Sequence, residues 1–211
     1  PTHHPFDQDT LPNQPGYSKT RPPYASKGGR MTDAENLIIR DVHDHDMDAI
    51  QAIYAHHVRH GLASWEVSPP GIAEMRARRT AIQDGGFPYR VAERADEVLG
   101  YTYASQYRPR PAYRNTVENA IYVAESARGQ GIGPVLLDDI VEQCTARGFR
   151  RMVAVIGDSE NIPSIKLHER AGFQMVGVIP ACGYKSGRWL DQVLMQKALG
   201  PGDTEPPDCH S

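Results

Sequence analysis

The segment Arg128-Gly129-Gln130-Gly131-Ile132-Gly133-Pro134 places three glycines at alternate positions, directly before the apolar run Val135-Leu136-Leu137. Glycine loses more backbone freedom on folding than any other residue, so three in one short stretch need a structural reason. Glycine permits a sharp turn and lets a ligand approach without a Cβ in the way. A helix start adds unpaired N–H groups and the positive end of the peptide dipoles. The segment therefore predicts a phosphate-binding loop at the start of a helix.

The residues after this loop have the pattern of an amphipathic helix. Apolar side chains share one face and acidic side chains the other from Pro134 to about Arg147, and proline is tolerated in a first helical turn. Two common phosphate-binding patterns do not fit. A dinucleotide fold needs G-x-G-x-x-G with an acidic residue about 20 positions later, and a P-loop ends in G-K-[ST]. A glycine-rich turn without a ligand is the simpler alternative.

The composition is that of one folded domain with two polar ends. The chain has 211 residues, of which 39% are apolar, and this suffices for one well-packed domain. Residues 1–35 are rich in proline and polar side chains, so we predict a flexible N-terminal extension with Met31 as the natural start. We expect a single domain over residues 36–199 and a flexible C-terminal tail over residues 200–211.

Charge, hydropathy and cysteine content disfavour several classes of partner. A net charge of -3 gives no reason to expect nucleic acid. The sequence contains no apolar run of about 18 residues and no secretory signal pattern, so we expect neither a membrane span nor export. The three cysteines form neither a disulfide framework nor a zinc spacing, which indicates a cytosolic protein.

The pattern of apolar residues predicts an α/β (α+β) fold with a mixed sheet and helices on its faces. The predicted helices are 46–60, 72–83, 134–147 and 163–170. The predicted strands are 37–40, 89–92, 98–107, 117–123, 153–156, 173–179 and 189–197, with a turn at Ala95-Asp96 between the second and third.

With these elements in order, the sequence resembles the GNAT superfamily of N-acetyltransferases over about residues 37–199. The glycine segment matches the Q/R-x-x-G-x-G/A acetyl-CoA loop of that family. Within it the chain is similar to the phosphinothricin and L-amino-acid N-acetyltransferase branch. Three further stretches carry this likeness: TVENAIYV from Thr116, VAVIGDSENIPSIKLHERAGF from Val153, and GYKSGRW from Gly183.

The resemblance implies a GNAT fold, acetyl-CoA as cosubstrate and a small amine acceptor. The coenzyme pyrophosphate would rest on the amides of Arg128, Gly129, Gln130, Gly131, Ile132 and Gly133. The pantetheine arm would lie beside the strand ending at Tyr122 and Val123, with Asn161 and Ser164 at its other side. A helix cap is an equally good interpretation of Asn161.

Glu118 is the candidate general base. A carboxylate is unusual in the otherwise apolar strand VENAIYV, where Glu118, Ala120 and Tyr122 share one face and Asn119 lies on the other. An amine attacks only after losing its proton, and a positioned base contributes about 10²–10⁴ in rate. An edge-strand charge facing water is the alternative. The resemblance also assigns the base to Glu118.

His168 is the second catalytic candidate. The resemblance places it where many GNAT enzymes have a tyrosine thought to protonate the leaving thiolate, and histidine titrates near neutrality. A histidine packed on a short helix is an equal alternative. Tyr122 could supply a hydroxyl in the same cleft. Neither Cys144, which faces the predicted core, nor Cys182 has the surroundings of an activated nucleophile.

Arginine suits planar anions such as the carboxylate or phosphinate of an amino-acid-like acceptor. The resemblance therefore assigns Arg108 and Arg114, and the turn residues Lys185 and Arg188, to the acceptor, with a surface turn as the alternative for the last two. Trp65 is either a wall of the acceptor pocket or a core anchor.

The remaining expectations concern metals, assembly and competing functions. His56 and His60 share a helical face without a third ligand, so we expect no metal. The resemblance implies a homodimer. The alternatives are an N-acetyltransferase of a polyamine, an aminoglycoside or a protein amine, and a non-catalytic acyl-CoA sensor.

Overall fold

The computed structural model describes residues 37–207. The predicted N-terminal extension, with Met31, lies outside the described residues, as do residues 208–211 of the predicted tail. The helices are α1 Met47–His60, α2 Ile72–Asp84, α3 Ile132–Ala146 and α4 Ile162–Arg170. The strands are β1 Ile38–Asp41, β2 Tyr89–Arg94, β3 Glu97–Gln106, β4 Thr116–Val123, β5 Arg151–Gly157, β6 Gln174–Lys185 and β7 Arg188–Ala198.

The seven strands form one sheet in the order β1-β2-β3-β4-β5-β7-β6. Only β4 and β5 run parallel, and every other neighbouring pair is antiparallel. The chain between β4 and β5 contains α3, the helix that a parallel connection requires. The predicted mixed sheet with flanking helices is confirmed.

Tight turns fix two of the hairpins. Ala95 and Asp96 both have positive φ (49° and 62°), the combination of a type I′ turn, and they join β2 to β3 as the sequence predicted. Ser186 and Gly187 repeat this arrangement with φ of 51° and 80°. Strands β6 and β7 therefore pair up to this turn, with Lys185 opposite Arg188, so β6 extends to Lys185 where the sequence predicted a strand ending at residue 179.

The two faces of the sheet have separate cores. Helices α1 and α2 cover one face, where Met47, Ile50 and Tyr101 are fully buried. Helix α3 covers the other face with Leu137 and Ile140, and α4 lies beside it. Successive residues of a strand point to opposite faces, so β4 contributes to both cores.

Strands β4 and β5 separate partway along their length. Their pairing runs from Thr116–Arg151 to Asn119–Ala154 and stops there. Strand β4 continues to Val123 on its pairing with β3, and β5 continues to Gly157 on its pairing with β7. The two strands therefore open a gap in the sheet, which we call the fork.

The described end of the chain packs on the domain. Residues 200–207 form turns, and the Arg150 guanidinium donates to the Pro206 carbonyl oxygen over 3.1 Å. Arg151 pairs with Asp203 at 3.4 Å. The boundary predicted at residue 199 stays a prediction. None of the helices within residues 37–207 has the length and apolarity needed to cross a membrane.

Candidate active site

A cleft of about 890 Å³ occupies the fork. It is bounded by the free parts of β4 and β5, the C-terminal end of α1 with the loop after it, the glycine loop and the start of α4. The predicted site residues on its wall are Glu118, Tyr122, Val123, Arg128, Gly129, Asn161, Ser164, His168 and Arg188. The fork therefore brings together predicted site residues from four separate segments of the chain.

The glycine loop has the shape expected of an anion cradle. Gly129 and Gly131 have φ of 75° and 80°, and nothing lies within 4 Å of a Cβ built on either, so these positions need glycine for their backbone conformation. Helix α3 begins at Ile132, two residues earlier than predicted, which places Gly133 inside its first turn. Gly131 provides no side-chain cap, and the first turn of α3 carries no acidic residue. The N–H groups of this first turn are therefore available to a ligand.

The side chains of the loop hold its shape. Gln130 donates to the Ser126 carbonyl over 2.9 Å and accepts from Arg94 over 2.9 Å. Arg128 pairs with Glu125 at 2.8 Å on the cleft wall. Ile132 is buried, and Gly133 faces Leu167 of α4. The side chains of Gln130 and Ile132 thus support the loop, and its contribution to binding comes from the backbone.

Glu118 lies half-buried on the cleft wall, on the α1 face of the sheet. Burial raises the pKa of its carboxyl above the ordinary value, and the positive charge of Arg108 partly offsets this rise. A carboxylate that holds a proton more tightly is a stronger base while it is ionised. The side chain faces the open cleft, and not a solvated sheet edge, because β4 has a neighbouring strand on each side.

Aromatic side chains surround Glu118 on that face. Tyr122 packs edge-on against Tyr54 at 5.0 Å between ring centroids, and Tyr103 also lines the cleft. Burial raises the pKa of Tyr122 well above its ordinary value, so the phenol keeps its proton. Trp65 lines the cleft and lies directly over Gly183, where a Cβ would overlap the indole ring. Trp65 is therefore a pocket wall, one of its two proposed roles.

His57 is a cleft residue that sequence reasoning missed. Its Nε2 lies 2.9 Å from the Val123 carbonyl oxygen, and its ring packs against Tyr122 at 5.3 Å. Burial lowers the pKa of His57, although the bond to Val123 favours the protonated ring. Its position on the apolar face of α1 was visible in the sequence, but the contact with a strand 66 residues away was not.

His168 and Asn119 form a buried pair on the other face. Asn119 Nδ2 lies 3.1 Å from His168 Nε2, and His168 Nδ1 lies 2.8 Å from the Ser164 carbonyl oxygen. Burial lowers the pKa of His168, and its bond to Ser164 only partly opposes this. The ring also packs edge-on against Phe173 at 5.0 Å.

Asn161 caps α4, since its side-chain oxygen accepts from the Ser164 N–H over 3.3 Å. Both residues also line the cleft. The capping interpretation is therefore correct, and it leaves the Asn161 amide N–H₂ group able to donate to a ligand.

The four predicted acceptor-binding cations differ in position. Arg188 lies at the mouth of the cleft and is held by Asp158 and, at 3.2 Å, by Glu160. Arg108 is exposed near Glu118, and its guanidinium lies 5.0 Å from the Tyr107 ring centroid. Arg114 is exposed and does not line the cleft.

Lys185 is buried and has an internal partner. Its Nζ donates to the Ser64 carbonyl oxygen over 2.7 Å. Burial lowers the pKa of the Lys185 amine, and the negative charge of Glu66 opposes this only in part. This bond ties the β6–β7 hairpin to the loop after α1. Lys185 thus supports the wall that carries Trp65 and does not line the cleft.

The histidines of α1 do not gather metal ligands. His56 and His60 lie with ring centroids 4.8 Å apart, and His56 contacts Glu125 at 3.4 Å. Within residues 37–207 no group of three His, Cys, Asp or Glu side chains could hold a metal ion. The expected absence of a metal stays a prediction.

The uncapped helix start suits a phosphate group, and comparison with known proteins gives the family. The model of the GNAT acetyltransferase domain matches residues 39–194, so the chain belongs to the GNAT acetyltransferase family. The family and the fold predicted from the sequence are confirmed.

Relatives within that family place the chain more closely. It is 50% identical over 170 residues to a phosphinothricin N-acetyltransferase of Alcaligenes faecalis, covering 81% of this chain and 86% of that protein. It is 41% identical to an L-methionine sulfoximine/L-methionine sulfone acetyltransferase of Pseudomonas paraeruginosa, covering 80% and 98%. The protein is an acetyl-CoA-dependent N-acetyltransferase, as predicted.

A solved structure shares the whole architecture. The crystal structure of a phosphinothricin acetyltransferase from Sinorhizobium meliloti in complex with acetyl-CoA superposes with a TM-score of 0.80. The two sequences are 44% identical, and the match covers 82% of this chain and 94% of the other.

Proposed function

We propose that this protein transfers the acetyl group of acetyl-CoA to the primary amine of a small amino-acid-like acceptor of the phosphinothricin or methionine sulfoximine type. The observation that carries the proposal is the half-buried Glu118 carboxylate on the wall of a cleft that also includes Arg128 and Gly129, the residues that lead into the uncapped start of α3. The cleft thus combines a base with a phosphate cradle. The named relatives act on acceptors of this chemical type.

The coenzyme fits the α3 and α4 side of the fork. The N–H groups at residues 129–133 would hold its pyrophosphate. The Ala124 N–H donates to the Leu99 carbonyl oxygen over 2.8 Å. Residues of an antiparallel strand point their backbone N–H and C=O groups alternately towards and away from the neighbouring strand. The backbone groups of Ile121 and Val123 therefore point away from β3 and towards the fork. A pantetheine arm can pair with them as an added strand. Asn161 and Ser164 line this side of the cleft, and the Tyr122 ring lines it from the α1 face.

The acceptor fits the α1 side of the fork. Its amine would lie beside Glu118. Arg188 at the cleft mouth is held by Asp158 and Glu160, and its remaining N–H groups would donate to the carboxylate or phosphinate of the acceptor. The amine proton passes to Glu118, directly or through a water, while the amine nitrogen bonds to the thioester carbon and the carbon–sulfur bond breaks. Arg108 and Arg114 remain proposed secondary contacts for the acceptor anion.

Cationic acceptors fit the cleft less well. Glu66 is paired with Arg78 at 2.5 Å, and Asp158 and Glu160 are paired with Arg188. Among the carboxylates that line the cleft, Glu118 is therefore the one that forms no salt bridge with another residue of 37–207. A polyamine or an aminoglycoside would need several such groups.

The test is an acceptor panel assayed by release of free thiol from acetyl-CoA. We expect turnover with phosphinothricin or methionine sulfoximine, and at least a hundredfold less with Glu118→Gln. Turnover confined to spermidine, kanamycin or a peptide amine would replace the proposed acceptor class. Acetyl-CoA binding without turnover on any amine would indicate a sensor.

We further propose a homodimer that forms along β6. This strand ends the sheet, and apolar side chains are exposed along it at Met175, Val176, Val178 and Ile179. An exposed edge strand with apolar side chains favours pairing with another chain, and a second copy offers the same surface. Sedimentation velocity tests this: Val176→Lys is expected to give a monomer. The control Val67→Lys, at a still more exposed valine outside β6, should leave the dimer intact.

The cysteines support a cytosolic location for this protein. Cys144 is a buried thiol whose pKa burial raises to about 12, and Cys182 is an exposed free thiol. Free thiols persist in a reducing compartment. Labelling of Cys182 in intact cells with a membrane-permeant reagent, but not with an impermeant one, would support this location.

A further inference from the structure

The hydrogen bond to Ser164 fixes one proton of His168. A carbonyl oxygen only accepts, so the 2.8 Å contact with Ser164 requires the proton to be on Nδ1. The ring is 5% exposed, and burial lowers the pKa of His168 with no charged side chain contributing. A neutral imidazole with its proton on Nδ1 has only a lone pair at Nε2. In this neutral form, which burial favours, His168 accepts at Nε2 and does not donate there.

The partner at Nε2 is consistent with this pattern. Asn119 must turn its N–H₂ group towards His168, because two acceptors 3.1 Å apart would repel each other. Its Oδ1 atom is buried and has no hydrogen-bond partner within residues 37–207. A buried acceptor without a partner is unfavourable. The contact with His168 alone therefore sets the orientation of the Asn119 amide.

Asn119 also has a special place in the sheet. It is the last β4 residue that pairs with β5, opposite Ala154, so the fork begins directly after it. The chain Ser164–His168–Asn119 links this point to the first turns of α4. The direction in which the free part of β4 leaves the sheet thus depends on a buried side-chain bond to the helix.

We propose that His168 is a positioning residue, which through Asn119 fixes the point where β4 leaves β5, and is not the acid that protonates the leaving thiolate. This inference rests on the proposed acetyl transfer and replaces the catalytic role predicted for His168. The electron pair of the broken carbon–sulfur bond stays on sulfur. A thiol has a pKa near 8.5, so its thiolate can leave and take a proton from water or from the protonated Glu118.

A comparison of two variants separates positioning from acid catalysis. His168→Gln keeps an acceptor near the place of Nε2 and has no group that titrates near neutrality, whereas His168→Leu keeps neither. We expect kcat to fall less than tenfold in His168→Gln and more than tenfold in His168→Leu. In an Asn119→Leu background, His168→Leu should have no additional effect. Equal effects of the two variants, at whatever size, overturn the proposal.

A measurement on the wild-type protein tests His168 without any activity. Nitrogen-15 correlation spectra of the imidazoles, with His168 assigned through His168→Gln, report which ring nitrogen carries the proton. We expect a proton on Nδ1 and none on Nε2 near neutral pH. A proton on Nε2, or a doubly protonated ring, overturns the proposal. If no amine releases thiol, the proposed function fails, and these spectra still decide the state of His168.

Discussion

Replacing Glu118 with glutamine is the sharpest test of the proposed chemistry. Glutamine keeps the shape of the side chain and removes its ability to take the amine proton. General-base assistance contributes about 10²–10⁴ in rate, which corresponds to about 2.7–5.4 kcal/mol of transition-state stabilisation. We expect kcat/KM for the acceptor to fall by that factor while acetyl-CoA affinity changes less than about threefold, since residues 129–133 bind the pyrophosphate.

The same substitution has a defined effect on pH dependence and stability. Because burial raises the pKa of Glu118, wild-type kcat/KM should rise with pH as this carboxyl ionises above its ordinary range, and the variant should lack that limb. A raised carboxyl pKa means that folding stability falls as pH rises through it. At neutral pH, Glu118→Gln should therefore unfold at the wild-type temperature or above it.

Initial rates of thiol release and thermal melts across about pH 5–9 measure both effects. Glu97→Gln, an exposed carboxylate at the start of β3, is the matched control and should leave both unchanged. A variant that keeps more than a third of wild-type activity would refute the role of Glu118 as the base. A loss of activity accompanied by a lower melting temperature would show instead that the residue is structural.

Three further predictions concern the cradle, the acceptor and the fold. Gly131→Ala should weaken acetyl-CoA binding in calorimetry by about tenfold, because a positive φ costs alanine about 1–2 kcal/mol. Arg188→Ala should raise KM for the acceptor about tenfold or more, with KM for acetyl-CoA unchanged. Asp46→Asn should lower the free energy of unfolding by about 1.5–3 kcal/mol. Burial alone would raise the pKa of Asp46, but hydrogen bonds from Arg40 and the His43 N–H outweigh burial and lower the pKa. The stability that the Asp46 carboxylate contributes is therefore lost as pH falls through that lowered pKa.

The first two of these predictions have matched control variants, and the third is tested by its pH dependence. Gly148→Ala has the same positive φ far from the loop, and it should lower stability without changing acetyl-CoA affinity. Arg110→Ala removes an exposed arginine outside the cleft and should leave both KM values unchanged. Urea unfolding gives the difference in free energy of unfolding between Asp46→Asn and the wild type. If this difference were the same above and below the pH range in which the carboxyl titrates, the ion-pair explanation would be contradicted. Tighter acetyl-CoA binding by Gly131→Ala would contradict the backbone argument.

Local patterns predicted much of this molecule. The period of two along β4 placed Glu118 and Tyr122 on one face and Asn119 on the other, because strand geometry alone decides that. The glycine loop was predictable because positive φ at alternate residues leaves few other amino acids possible. The turn at Ala95-Asp96 followed from two flanking runs of strand-forming residues.

Long-range contacts were beyond such patterns. The end of the β4–β5 pairing depends on the register of two strands whose paired residues, such as Asn119 and Ala154, are 35 positions apart in the chain. The Asn119–His168 bond joins residues 49 apart, and Lys185 meets Ser64 across 121 residues. No local signal in the sequence shows which partners bind the polar atoms of His168 and Lys185. Both residues were therefore predicted to be reactive or ligand-binding groups.

The fork passes through the sheet, with Glu118 on the α1 face and Asn119 on the α4 face. Two reactants can consequently enter from opposite sides and occupy the protein together, and neither must depart before the other arrives. Steady-state kinetics should then show intersecting double-reciprocal lines. Without an amine, the protein should not exchange radiolabel between acetyl-CoA and free coenzyme A.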